Sequence, residues 1–190
     1  IVGFLAPAVL ALYLAAFPAL FGAGAARLRL PPAVLPFAAA ALWAALDHLR
    51  SFALSGFPWA TLGYAQHENA ALLPWAALTG VYGLSFATAL GGIGAWSAWR
   101  CRGRRGTWAA PLAVVLLHAI GPGLAAEPAD GAETVRLAVV QGNIGQDVKW
   151  SREWADRTLG IYERLSREAA AQGAKLVVWP ETAVPGSVNR

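Results

Sequence analysis

Long stretches without charge are the feature that most restricts the fold of this chain. Ile1 to Ala126 contains seven Lys or Arg and two Asp or Glu, whereas Glu127 to Arg190 contains eight and nine. A helix needs about 20 residues to cross a hydrocarbon core about 30 Å thick, and the first part of the chain offers four uncharged or nearly uncharged stretches that are long enough. A large soluble protein can also bury apolar helices, but four in succession favour a membrane. We therefore predict a polytopic α-helical membrane bundle followed by a soluble α/β portion.

The four predicted transmembrane helices lie at approximately residues 1–26, 31–50, 70–99 and 107–126. Basic residues cluster between them at residues 27–29 and 100–105, as in cytoplasmic loops. This orientation puts residues 51–69 and everything after Glu127 on the other face. We predict a multi-pass protein of the bacterial inner membrane whose soluble part lies in the periplasm. That part has no basic excess, so nucleic acid is not an expected partner.

Several polar side chains lie within or beside the predicted spans. Asp47, His48 and Arg50 lie near the outer end of the second one. An Asp47–Arg50 ion pair at i,i+3 and a lipid-headgroup contact at the mouth of a cavity are both compatible with this spacing, and both stay open. His118 has no second His or Cys at metal-ligand spacing, so we interpret it as a polar packing group and predict no metal.

The soluble part begins after a polar, turn-forming linker at residues 127–134. Residues 135–141 and 175–179 are predicted to be strands. Between them, apolar residues recur at intervals of three and four, which predicts a helix that Ser151 caps and Gly173 ends. The resulting βαβ unit should have a right-handed crossover, with Gln141 and Glu181 at the same carboxyl edge of the sheet.

Glu181 is the strongest candidate for a catalytic residue. It follows the second predicted strand, which Pro180 ends, and ligands of open α/β sheets bind beyond the carboxyl ends of strands. A solvated turn or a structural ion pair is the alternative. The apolar neighbours Trp179, Pro180 and residues 183–185 would disfavour an ionised carboxylate and suit it to proton transfer near neutral pH. The loop at 142–145 is neither a dinucleotide fingerprint nor a P-loop, so we predict no cofactor.

Three motifs resemble one known family: residues 54–66 (LSGFPWATLGYAQ), 139–150 (VVQGNIGQDVKW) and 176–183 (LVVWPETA). The last two look like the start of the nitrilase-type domain of bacterial apolipoprotein N-acyltransferases, and the first is similar to that family's periplasmic loop. Soluble nitrilases share the Trp-Pro-Glu motif but lack the membrane region, so the combination is more specific than either part. The resemblance implies that residues 135–190 begin an extracytoplasmic nitrilase-like domain with an αββα sandwich fold.

The resemblance further implies acyl transfer in two half-reactions. A cysteine takes an acyl chain from a phospholipid and passes it to the α-amine of the diacylglyceryl cysteine of an apolipoprotein. Glu181 matches the family's general base, which accepts the thiol proton and later a proton of the amine. Trp150 matches a tryptophan near the family's active site and is a candidate substrate-binding residue, with packing at the helix entry as the alternative.

Two other functions stay open, a membrane-tethered nitrilase-like amidase and a non-catalytic membrane scaffold with the same fold. The resemblance places a catalytic lysine and cysteine further along the chain than Glu181, and the sequence contains no methionine, so we expect a truncated fragment that is inactive alone. Cys101 is not the expected nucleophile, because it lies among arginines on the predicted cytoplasmic side.

Overall fold

The computed structural model describes residues 2–104, 106–125, 133–149, 151–181 and 183. The chain divides into two compact units, Ile1–Glu127 and Pro128–Arg190. The first unit is helical, and the second contains a two-stranded parallel sheet with helices between the strands.

The described residues of the first unit form four α-helices, at the places where the sequence predicts spans. They are α1 (Val2–Ala25), α2 (Leu35–Arg50), α3 (Ala76–Arg100) and α4 (Ala109–Ile120). Short 3-10 helices lie between α2 and α3 at Ala53–Ser55, Leu62–Gln66 and Leu73–Trp75, and another follows α4 at Gly121–Leu124.

The four helices differ in their ability to cross a membrane. By length and composition, Leu5–Ala25 and Leu73–Arg100 qualify among the described residues, whereas Ala109–Leu124 is a shorter apolar helix. α2 has 16 residues and is about 24 Å long, less than a hydrocarbon core of about 30 Å. It is shorter than predicted because the chain stays non-helical after the two prolines at 31 and 32, and the helix begins only at Leu35.

α3 is the central helix of the first unit. A cluster of buried side chains joins it to α2 and α4, namely Ala40, Ala89, Leu90 and Ala110. Near its start, Gly80 interrupts the helical geometry with φ 63° and ψ −171°. A positive φ of this size is in the region that favours glycine, so the break is specified by the sequence.

The second unit has the strand–helix–strand order that the sequence predicts. Its elements are β1 (Leu137–Val139), α5 (Gln146–Lys149), a 3-10 turn (Arg152–Trp154), α6 (Ala155–Ala171) and β2 (Leu176–Val178). The strands are parallel, with Leu137 opposite Leu176 and Val139 opposite Val178. The parallel pairing is confirmed. Both strands are shorter than predicted, however, since the hydrogen-bonded ladder covers only three residues of each.

α6 buries the face that its periodicity predicts, with Thr158, Tyr162 and Ala169 inside. Ser151 Oγ accepts a hydrogen bond from Trp154 N at 3.3 Å. It therefore caps the 3-10 turn before α6 rather than α6 itself. Gly173, with φ 84°, follows the helix in the left-handed conformation that commonly ends helices.

Candidate active site and the Asp47 network

The carboxyl ends of β1 and β2 lie at one edge of the second unit because the strands are parallel. Gln141 is two residues past the end of β1, and Glu181 is three residues past the end of β2. Gln141 Nε2 donates to Asn143 Oδ1 at 2.7 Å. The turn that carries Glu181 is closed by Ala183 N, which donates to Pro180 O at 3.2 Å. The Gln141–Asn143 amide pair thus follows the end of β1, and the Glu181 carboxylate follows the end of β2.

Glu181 is exposed, and Trp179 and Pro180 before it are exposed as well. The predicted apolar enclosure of this carboxylate is therefore wrong for the described residues. The physical reason is the position of the Trp179 ring, which stacks on Tyr162 with ring centres 5.1 Å apart. Trp179 Nε1 also donates to Ser166 Oγ at 2.9 Å. Both contacts hold the ring against α6.

Two sequence predictions at this site concern residues outside the described ranges. Trp150, the candidate substrate-binding residue, is one of them. Residues 184 and 185, part of the predicted apolar surroundings of Glu181, also lie outside the described ranges. The role of Trp150 stays a prediction.

Tyr162 fixes both segments that follow the strands. Besides its stack with Trp179, it lies so near Gly142 that an added Cβ there would be 2.9 Å from Tyr162 Cζ. The next residue, Asn143, has a φ of 50°, which asparagine tolerates better than most residues. The sequence indicates Tyr162 only as part of the buried face of α6. Its contacts with Trp179 and Gly142 join residues that are distant in the sequence, so no local pattern predicts them.

The chemistry available at this edge is proton transfer. An exposed carboxylate can accept a proton from a thiol or an amine if that group comes within hydrogen-bond reach, about 2.6–3.2 Å. Ala183 N bonds Pro180 O on the other side of Glu181, and the side chain of Glu181 stays exposed.

Asp47 is the centre of a second polar cluster, which lies in the first unit. Its Oδ1 accepts from Arg50 Nη2 at 2.9 Å, and its Oδ2 accepts from Ser85 Oγ at 2.8 Å and Leu62 N at 3.1 Å. Ser85 Oγ in turn accepts from Gly63 N at 2.9 Å. These five residues are called the Asp47 network below.

The Asp47 network changes the interpretation of the polar residues in α2. The Asp47–Arg50 pair exists at the expected i,i+3 spacing, but its side chains are only 7% and 11% exposed, so it is a buried pair rather than an interfacial one. Arg50 Nε is buried without a hydrogen-bond partner in the described part of the chain. His48 does not join the network; it is exposed and packs edge-on against Tyr82, with ring centres 4.8 Å apart.

His118 in α4 makes two local contacts through its ring nitrogens. Nδ1 lies 2.8 Å from Val114 O, and Nε2 lies 3.1 Å from Asn69 Nδ2. A neutral ring with its proton on Nδ1 satisfies both contacts, since a carbonyl only accepts and an amide NH₂ only donates. This geometry agrees with the polar packing role that the sequence indicates.

Comparison with known protein families finds a match for each unit. Residues 1–95 match the apolipoprotein N-acyltransferase N-terminal domain, and residues 136–190 match the carbon-nitrogen hydrolase family. The Leu54–Gln66 motif falls within the first match, and Glu181 falls within the second.

Three relatives, each named apolipoprotein N-acyltransferase, illustrate the likeness. The protein from Geobacter metallireducens is 41% identical over 152 residues, which cover 76% of this chain and 29% of that protein. The one from Caulobacter vibrioides is 38% identical over 160 residues, 82% of this chain and 29% of the relative. The one from Nitrosomonas europaea is 36% identical over 191 residues, 95% of this chain and 36% of the relative. The chain thus spans about a third of the length of these relatives, and it belongs to the apolipoprotein N-acyltransferase family.

Proposed function

We propose that this chain supplies part of the membrane region and the first strand–helix–strand segment of an acyltransferase. The enzyme moves an acyl chain from a phospholipid, through a cysteine thioester, to the diacylglyceryl cysteine of an apolipoprotein. The observation that carries this proposal is Glu181, which stands in the exposed turn after a parallel strand in a chain of this family. The match of residues 1–95 favours this function over a tethered amidase or a scaffold.

In the first half-reaction, Glu181 accepts the proton of the cysteine thiol. The thiolate attacks the ester carbonyl of the phospholipid, the ester C–O bond breaks, and the departing lysophospholipid oxygen takes the proton. The enzyme is left with an acyl thioester. Proton removal matters because the thiolate, not the thiol, is the nucleophile.

In the second half-reaction, the α-amine of the apolipoprotein attacks the thioester carbonyl. Glu181 accepts a proton from the attacking amine, the C–S bond breaks, and the leaving thiolate recovers that proton. The products are an N-acylated apolipoprotein and the free thiol. Cys101 lies in the basic cluster on the proposed cytoplasmic side, so the thiol is expected from sequence that follows Glu181 in a full-length protein.

The membrane arrangement that we propose has four crossings, with the nitrilase-type domain in the periplasm. It is supported by exposed apolar side chains of α1 that suit contact with the bilayer: Leu12 and Leu20 are 73% and 52% exposed. The basic clusters at residues 27–29 and 100–105 support the orientation. The two shorter helices fit because a short apolar stretch is accommodated by local thinning of the bilayer at modest cost.

The test is Glu181→Gln in a full-length protein that contains this chain. Glutamine keeps the shape of the side chain but cannot accept the proton. General-base catalysis contributes about 10²–10⁴-fold, so we expect apolipoprotein N-acylation to fall at least about a hundredfold. Thioester formation with phospholipid and transfer to the amine should both slow, because one base serves both steps.

A matched control is Glu163→Gln, which removes an exposed carboxylate from α6 and its surface ion pair with Arg167. Such pairs contribute little, so this variant should keep its activity. Near-normal turnover by a folded Glu181→Gln enzyme would remove Glu181 from the mechanism.

A further inference from the structure

The Asp47 network connects three segments that are distant in sequence. The carboxylate of Asp47, in α2, bonds Leu62 N, which is 15 residues away, and Ser85 Oγ in α3, which is 38 residues away. Asp47 is 6% exposed and Ser85 is fully buried. Hydrogen bonds to a buried charged group are among the stronger ones in proteins, so this carboxylate holds the loop backbone firmly against α2 and α3.

At Gly63 the loop backbone lies so close to α3 that a side chain would not fit there. A Cβ added at Gly63 would lie 2.3 Å from Val81 O and 3.0 Å from Ser85 N. Thr61, two residues earlier, is 3% exposed. The loop is therefore fixed at residues 61–63 by backbone contact as well as by the bonds to Asp47 and Ser85.

The segment just before this fixed point is exposed and strained. Leu54, Ser55 and Ala60 have φ of 51°, 75° and 56°, an unusual conformation for residues with a side chain. Such strain persists only where the surrounding structure enforces it. Trp59 is 71% exposed, and within the segment Phe57 N donates to Arg50 O at 2.9 Å. Thr61 Oγ1 donates to Pro58 O at 2.7 Å, so the segment is attached both to the end of α2 and to the fixed loop at residues 61–63.

This strained segment forms one wall of an open apolar groove. The other wall is α1, and the lining residues are Leu5, Ala6, Val9, Leu10, Tyr13, Leu54, Ser55, Gly56 and Phe57. The acyl chain is the part of a lipid substrate that matches such a lining, because it is apolar throughout.

We propose that Asp47 is a positioning residue for lipid substrate binding. By bonding Leu62 N and Ser85 Oγ, it holds the loop at residues 61–63 on α3 and so keeps the segment at residues 54–60 in place as a wall of the acyl-chain groove. This inference rests on the proposed acyltransferase function, since that function makes a lipid the substrate. In this proposal Asp47 holds the loop and takes no part in making or breaking bonds.

The experiment compares Asp47→Asn, Ser85→Ala and Gly63→Ala with the wild-type full-length protein in lipid nanodiscs. The control is Thr88→Ala, which removes a hydroxyl one turn further along α3 that, in the described part of the chain, bonds Leu84 O within the same helix. Hydrogen exchange is followed on peptides that cover residues 52–72 and α3. Steady-state acyl transfer is measured with phospholipid as the varied substrate.

We expect the amides of residues 61–63 to exchange at least about tenfold faster in the three network variants, with α3 unchanged. The KM for phospholipid should rise at least about fivefold while kcat stays within about twofold, as expected when a binding interaction alone is lost. The Thr88→Ala protein should behave as wild type. A variant that merely unfolded in part would lower kcat and leave KM unchanged, so the two causes are distinguishable.

Unchanged loop exchange in Ser85→Ala and Gly63→Ala would overturn the proposal, and these two variants keep it testable if Asp47→Asn fails to fold. Faster exchange with an unchanged KM would overturn the substrate-positioning role. Absence of acyl transfer in the wild type would instead refute the proposed function, and with it the lipid role, while the exchange data would still show whether Asp47 holds the loop.

Discussion

At the scale of single residues, Tyr162 shows how a helix controls the positions of two strand ends. Its ring stacks on Trp179 after β2 and lies beside Gly142 after β1. Neither contact is part of the sheet ladder. The backbone that leads to Glu181 and the backbone that follows Gln141 are therefore positioned by α6, and a change at Tyr162 or its neighbours should affect both.

Gly142→Ala should destabilise the second unit, because the new Cβ would lie 2.9 Å from Tyr162 Cζ. Overpacking of this kind costs about 1–3 kcal/mol. The matched control is Gly160→Ala in α6, where an added Cβ meets nothing within 4 Å and should stabilise the helix by about 0.5–1 kcal/mol. Urea denaturation of the full-length protein, followed by tryptophan fluorescence, measures both; equal stability of the two variants would contradict the proposed contact.

The sequence predicts the location of Glu181 but not its surroundings. Its location depends on local signals, an apolar strand and a proline that ends it. Its surroundings depend on the Trp179 ring, whose partners Tyr162 and Ser166 lie 17 and 13 residues earlier in the chain. Asp47 was missed as a loop ligand for the same reason, since two of its partners lie in other segments.

At the scale of elements, close packing of α3 and α4 depends on small residues. An added Cβ at Gly94 would lie 2.7 Å from Ala110 Cβ, and Ala98, four residues later on the same helix face, is 2% exposed. Small residues at this spacing let helix backbones approach closely, which favours association in membranes.

Gly94→Leu should therefore force α4 away from α3 and lower the stability of the first unit by about 3 kcal/mol. Gly92→Leu is the matched control, because Gly92 is exposed and an added Cβ there meets nothing within 4 Å. Thermal unfolding in detergent should give a clearly lower Tm for the first variant and a Tm near wild type for the second. A similar Tm for both would show that the helices do not approach as closely as described.

Elements with a strong periodic or compositional signal are predicted well, and the others are not. The four described helices of the first unit occur in the uncharged or nearly uncharged stretches, and α6 buries its periodic face. The 3-10 helix at Leu62–Gln66 has no such signal, since its position depends on contacts with α3. The strands are overestimated because apolar alternation continues beyond the residues that pair.

At the scale of the whole molecule, the cysteine content limits what the chain can do by itself. Its one cysteine, Cys101, lies at the end of α3 in the first unit. We expect the 190-residue chain, incubated with phospholipid, to form no acyl-enzyme, because no thiol accompanies Glu181 in the second unit. Intact-protein mass spectrometry should show no acyl adduct. A hydroxylamine-sensitive adduct on Cys101 would contradict this expectation.

The charge distribution makes a prediction about membrane topology. Cys101 lies in a basic cluster, and such clusters stay on the cytoplasmic side. One further crossing, through α4, would carry the second unit to the periplasm. We therefore expect Cys101 to be protected from a membrane-impermeant maleimide in intact spheroplasts and to be labelled after permeabilisation.

The matched control for this experiment is Lys175→Cys in a Cys101→Ser background, which places a single thiol at an exposed position next to β2. It should be labelled in intact spheroplasts, since the proposed topology puts the second unit outside. Labelling of Cys101 together with protection of the control thiol would reverse the orientation. Glu181 would then face the cytoplasm, away from an apolipoprotein presented at the outer face of the membrane. If both thiols are labelled without permeabilisation, α4 does not cross the membrane. This crossing is the first one to test, because the apolar stretch of α4 is short.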